Sequence, residues 1–140
     1  MKINSRELTA AVNELIACAE KLSSPESISL DSFVPQETML IIVDIVNGFV
    51  REGAMASPRV EDIIPPSAEL LRRCNAAGIY SVALADCHSG DCAEFSAFPP
   101  HCIRGTSESE IVDEIKTVGG YELIEKNSTN GFHEEKLRRL

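Results

Sequence analysis

The sequence predicts an α/β fold built on a parallel sheet. Three observations point there: the periodicity follows the order strand, helix, strand, helix, strand; the first strand is a continuous apolar run; and a charged residue closes each strand. The leading segment reads as a helix, with Asn4 and Glu7 spaced for a capping box and Leu8, Val12, Leu15, Ile16, Ala19 and Leu22 at helical intervals. Such a stripe needs a surface. The expectation is that it packs on the domain behind it; a dimer contact or a lid is the other reading. Ser23-Ser24-Pro25 ends the helix, and a Pro- and Ser-containing connector runs to Pro35. The chain therefore divides into a helix and connector, 1–38, and an α/β domain, 39–140.

Met39-Leu40-Ile41-Ile42-Val43 is the first strand. Its unbroken apolar run predicts burial on both faces, and Asp44 follows at once. Pro65-Pro66 opens and Gly78 closes a helix whose inner face carries Ala68, Leu71, Cys74 and Ala77. The second strand covers 79–85 and ends at Asp86. Ser107 and Glu110 have capping-box spacing ahead of Ile111, Ile115 and Val118, with Gly119-Gly120 as the stop. A third strand, 121–125, runs into Lys126. Parallel strands in this order are expected to be joined by right-handed crossovers.

The 140 residues, 44% hydrophobic and 25% charged, suit one globular core and exclude a disordered tail, a collagen-like rod and a coiled coil. Thirteen Lys and Arg against 22 Asp and Glu give a net charge of −9, the wrong sign for phosphate backbones or anionic lipid, so neither nucleic acid nor membrane is an expected partner. The longest apolar run falls far short of the ~20 residues of a membrane helix, and the amino terminus lacks the apolar stretch of a secretory signal. The expected compartment is the cytoplasm. There the five cysteines, Cys18, Cys74, Cys87, Cys92 and Cys102, are reduced thiols, and the glycosylation match at Asn127-Ser128-Thr129 carries no weight. No glycine-rich dinucleotide or phosphate loop is present.

Ligands of open parallel sheets bind beyond the carboxyl ends of the strands, which here end in Asp44, Asp86 and Lys126. Asp86 and His88, two residues apart past a strand end, suit a hard-to-borderline divalent cation, and Glu94 and His101 extend the series, with Pro99-Pro100 stiffening the approach of His101. Solvated strand-end charges are the bland alternative. A structural zinc site on Cys87, Cys92 and Cys102 is the competing metal reading, disfavoured because no Cys-x-x-Cys pair is present.

From Met39 to Phe132 the sequence resembles the nicotinamidases of the isochorismatase-like cysteine hydrolases. The matching pieces are Ile41-Ile42-Val43-Asp44-Ile45-Val46-Asn47-Gly48-Phe49 with Gly53-Ala54-Met55, Ala85-Asp86-Cys87-His88, Phe98-Pro99-Pro100-His101-Cys102-Ile103-Arg104-Gly105-Thr106, and Glu125-Lys126-Asn127-Ser128-Thr129-Asn130-Gly131-Phe132. The resemblance implies a Rossmann-like parallel sheet in a three-layer α/β/α sandwich. It makes Asp44 and Lys126 two members of a Cys-Asp-Lys triad, and Asp86, His88 and His101 ligands of zinc, iron or manganese. Glu94 looks like the substitute for a further histidine that many relatives carry. Isochorismatases lack this metal set, so its presence favours the nicotinamidase branch, which hydrolyses nicotinamide to nicotinate and ammonia in NAD salvage.

The nucleophilic cysteine that the resemblance calls for lies beyond the fourth strand of that fold, and no cysteine of this chain matches its place. The expectation is thus an incomplete hydrolase domain that supplies the metal site, Asp44 and Lys126 but no nucleophile. It reads as the amino-terminal part of a longer protein, from a truncated or split gene, or as a chain completed by a second, carboxy-terminal polypeptide. Folding alone as a non-catalytic module would require the leading helix or self-association to cover the first strand, otherwise an exposed edge. Another isochorismatase-like hydrolase, or a non-catalytic remnant or metal-binding interaction module, are the alternatives.

Overall fold

A computed structural model describes residues 4–22 and 27–140, with Glu7 described by its backbone alone. In chain order the elements are α1 (Ser5–Glu20), β1 (Met39–Val43), α2 (Asn47–Val50), α3 (Pro58–Glu61), α4 (Ile64–Ala76), β2 (Tyr80–Asp86), α5 (Asp113–Val118), β3 (Glu122–Lys126) and α6 (Glu135–Arg138). The strands form one parallel sheet in the order β1-β2-β3, with Ile42 opposite Ala83 and Asp86 opposite Lys126. In-register parallel pairing brings all three carboxyl ends to one rim of the sheet.

Alternation along the strands separates two faces. Ile42, Ala83 and Ala85 look toward α4 and α5, where Ile64, Ala68, Leu71, Val112 and Ile115 complete the main core. On the other face Val82, Leu84 and Ile124 pack against Leu137 of α6. Helices on both sides of a parallel sheet give the expected α/β layering. Gly131, in the turn before α6, allows that segment to lie on the sheet, because a Cβ there would stand 2.9 Å from Leu84 Cδ1.

Four expectations need correction. The β1 run is not buried on both faces: only Ile42 is buried, and Met39, Ile41 and Val43 are exposed, because no described segment returns over that end of the sheet. Nor does the apolar stripe of α1 pack on the domain; Leu8, Val12, Leu15 and Ile16 are all exposed. Ser107 and Glu110 do not cap α5. Ser107–Ser109 is a separate 3-10 turn, Ile111 is drawn into an antiparallel bridge with Val46, and Val112 stands at the helix N-cap without a side-chain bond. Ala77 lies outside the buried face of α4, since the helix ends at Ala76 and the chain turns through Gly78 at φ +73°. The Glu7 half of the Asn4–Glu7 box and the Ser23-Ser24-Pro25 stop lie outside the described residues. Among the described residues no helix is long and apolar enough to cross a membrane.

Candidate active site at the strand tips

Asp44 leaves β1 in the left-handed region at φ +59°, which Asp adopts with less penalty than most side chains. The turn is held at its start by Asp44 N–H donating to the Leu84 carbonyl at 2.9 Å. Its carboxylate reaches the ammonium of Lys126, from the tip of β3, at 3.0 Å. The same ammonium also donates to Asp86 Oδ1, from the tip of β2. Lys126 is 1% exposed, so one buried cation bridges two carboxylates. Burial raises the Asp44 carboxyl above its ordinary range, the charge of Asp86 adds to this, and Lys126 opposes it. Burial pushes the Lys126 ammonium down, but its hydrogen bond to Asp86 and the charge of Asp44 outweigh that and hold it charged.

The second oxygen of Asp86 faces two imidazoles. His88 Nε2 lies 3.5 Å and His101 Nε2 3.8 Å from Asp86 Oδ2. His101 is brought there by a short parallel bridge: His88 N–H donates to the Cys102 carbonyl at 2.9 Å and Arg104 N–H to the His88 carbonyl at 2.8 Å, which sets the two rings 4.7 Å apart. Cys102 follows at φ +46°, and its amide is held by Glu108 Oε2 at 2.9 Å. Gly48 permits this approach, since a Cβ there would meet Cys102 Sγ at 2.6 Å. Phe49, Phe95 and Phe98 stand around His101 at ring-centroid distances of 5.6, 5.7 and 6.5 Å.

These atoms fit a divalent cation. Ligand atoms of Asp86, His88 and His101 all lie within 4.8 Å of one another, and all three residues are buried. His88 Nε2 is buried without a hydrogen-bond partner, a condition that native structures rarely leave unexplained. His101 Nδ1 is 2.8 Å from the Pro99 carbonyl. A carbonyl only accepts, so Nδ1 carries a proton, and in the neutral ring Nε2 is the nitrogen with the lone pair. Two imidazole nitrogens and a carboxylate oxygen are a donor set for zinc, iron or manganese.

Glu94 is not in this cluster. Its carboxylate accepts from the Thr129 hydroxyl at 2.7 Å and from the Thr129 amide; although burial pushes its pKa up, these bonds hold it below its usual value. The cysteines do not assemble a zinc site among the described residues either. Burial, with the charges of Asp86, Glu108 and Asp44, pushes the Cys102 thiol up to about 12, and burial with Glu125 raises Cys87. Both stay protonated and unreactive at neutral pH. The phenylalanine wall around His101 was not singled out from the sequence, although Phe95 and Phe98 flank the approach to Pro99-Pro100-His101.

The parallel layered sheet defines an α/β protein whose strand tips bring Asp44, Asp86 and Lys126 together with His88 and His101 at one rim. It belongs to the isochorismatase family: a model of the isochorismatase domain matches residues 38–140. Nicotinamidase 1 of Arabidopsis thaliana is 36% identical over 102 residues, covering 66% of this chain and 41% of that protein. Among solved structures, N-carbamoylsarcosine amidase from Thermoplasma acidophilum superposes with a TM-score of 0.67 at 28% identity, over 73% of this chain and 58% of the other. Pyrazinamidase of Pyrococcus horikoshii, solved in complex with zinc, gives 0.64 at 26% identity, over 74% and 62% respectively. The chain thus spans from about two-fifths to about three-fifths of the length of these relatives.

Proposed function

We propose that this chain is the metal-binding and acid–base part of a nicotinamidase-type amidohydrolase, which converts nicotinamide to nicotinate and ammonia in cytoplasmic NAD salvage. The observation that carries this is the shared Asp86 carboxylate, one oxygen on Lys126 and the other facing His88 and His101. Asp86, His88 and His101 would hold zinc, iron or manganese, which when bound supplies a Lewis acid that fixes the pyridine nitrogen of the substrate. Phe49, Phe95 and Phe98 give a flat aromatic ring apolar surface beside that position.

An amide carbonyl is a poor electrophile and calls for a thiolate. Asp44, a stronger base than a solvated carboxylate because burial raises it, takes the thiol proton as sulfur bonds to the carbonyl carbon, and returns it to nitrogen as the carbon–nitrogen bond breaks and ammonia leaves. Lys126 keeps Asp44 and Asp86 in place and balances their charge. Water then hydrolyses the thioester. With Cys102 and Cys87 held protonated by burial, this reading takes the thiol from outside residues 1–140. Glu94, as a further ligand, would have to release Thr129.

The test is ammonia release from nicotinamide by the zinc-loaded chain, alone and mixed with a carboxy-terminal segment of a nicotinamidase bearing its cysteine. The expected result is turnover only in the mixture, lowered about 10²–10⁴-fold by Asp44→Asn. Turnover by the chain alone that disappears with Cys102→Ala would place the nucleophile on Cys102 and overturn this arrangement.

A further inference from the structure

His88 has a second ring nitrogen, and its surroundings decide what the first can do. Nδ1 lies 3.4 Å from Cys92 Sγ. A thiol carries one proton, and both contacts of Cys92 are satisfied at once only when that proton points to the Asn127 carbonyl, 3.3 Å from the sulfur. A carbonyl accepts and never donates, so the thiol hydrogen is committed to Asn127 and only sulfur lone pairs remain for His88. The contact is then satisfied by a single tautomer, with the imidazole proton on Nδ1 and a lone pair on Nε2. That is the nitrogen found buried without a partner opposite Asp86.

The relay is built into the fold. Cys92 is buried, which limits the competition of water for its polar contacts. Asn127 directly follows Lys126, and its Oδ1 accepts from Ser89 N–H at 2.8 Å, which ties the loop carrying His88 and Cys92 to the tip of β3. His101 obtains the same tautomer from a backbone carbonyl. For His88, the corresponding partner is a side chain.

We propose that Cys92 is a positioning residue of the metal site: through the sequence His88 Nδ1–H to Cys92 Sγ, and Cys92 S–H to Asn127 O, it fixes His88 in the tautomer that presents Nε2 to the cation. This rests on the metal reading of Asp86, His88 and His101. Partners of this kind on ligating histidines are typically worth about 10–100-fold in metal affinity.

The experiment has two arms. Nitrogen-15 NMR of the histidine rings in the metal-free chain is expected to show His88 protonated on Nδ1, and a mixture or the Nε2–H form in Cys92→Ala. Zinc titration against a chromophoric chelator is expected to give one ion per parent chain, an affinity about 10–100-fold weaker in Cys92→Ala, and substantial recovery in Cys92→Ser, whose hydroxyl can both accept and donate. An Nε2–H His88 in the parent overturns the proposal without recourse to any variant. Zinc binding by the parent with undiminished affinity in Cys92→Ala overturns it as well and leaves the metal site standing. No stoichiometric zinc in the parent overturns the metal reading and this inference together.

Discussion

Val43 and Leu84 are register partners on the same face of the sheet, both apolar and one strand apart, yet Val43 is 52% exposed and Leu84 6%. The difference is what lies above them. Gly131 and Leu137 close over Leu84, whereas no described segment closes over Val43. One half of this face is sealed and leads into a buried, charge-paired rim at Asp86 and Lys126; the other half is an open strand edge. Burial of an apolar run is therefore set by where distant chain returns, and local composition does not encode it.

The largest way to break the sealed half is to remove its cation. Lys126→Met leaves Asp44 and Asp86 facing each other without a counter-charge and is expected to destabilise by about 3–5 kcal/mol in urea unfolding. Next comes Leu84→Ala, expected to lose about 2–5 kcal/mol because its neighbours Val82, Ile124 and Leu137 cannot collapse into the space. Asp44→Asn acts in the opposite direction and more weakly. A carboxyl whose folded pKa lies above the unfolded value of 3.8 penalises the fold when ionised; that penalty is absent below 3.8, grows as pH rises to the folded pKa, and is complete above it. Asparagine tolerates the left-handed turn and carries no charge, so the variant should melt higher than the parent at neutral pH and converge with it in acid. Smallest is Val43→Ala, expected to stay within about 0.5 kcal/mol as an exposed substitution. A loss as large as that of Leu84→Ala would mean that the β1 face is covered in solution, by another copy or by a completing polypeptide.

The strands and their charged ends were legible because strand length and charge placement are local: Asp44, Asp86 and Lys126 follow their apolar runs in the sequence and stand together in space. His88 and His101, expected in one series with Asp86, do stand together, although the bridge that joins them is not a local pattern. What could not be read depends on long-range return of the chain. Ile111 has helix-like spacing but is recruited by Val46, and Glu110, spaced for a cap, pairs instead with Lys116 at 2.6 Å. Glu94 sits in the right interval for a ligand but is held by Thr129, from the segment after β3. The left-handed turn at Asp44 had no signal beyond a residue type that tolerates it.

One shared carboxylate joins the lysine bridge to an imidazole pair, and X-ray absorption spectroscopy of the zinc-loaded chain tests that junction most directly. The expected spectrum has a nitrogen and oxygen shell at about 2.0–2.2 Å with imidazole scattering, lost in Asp86→Ala. A sulfur shell at about 2.3 Å would move the ion to Cys87, Cys92 or Cys102 and contradict it.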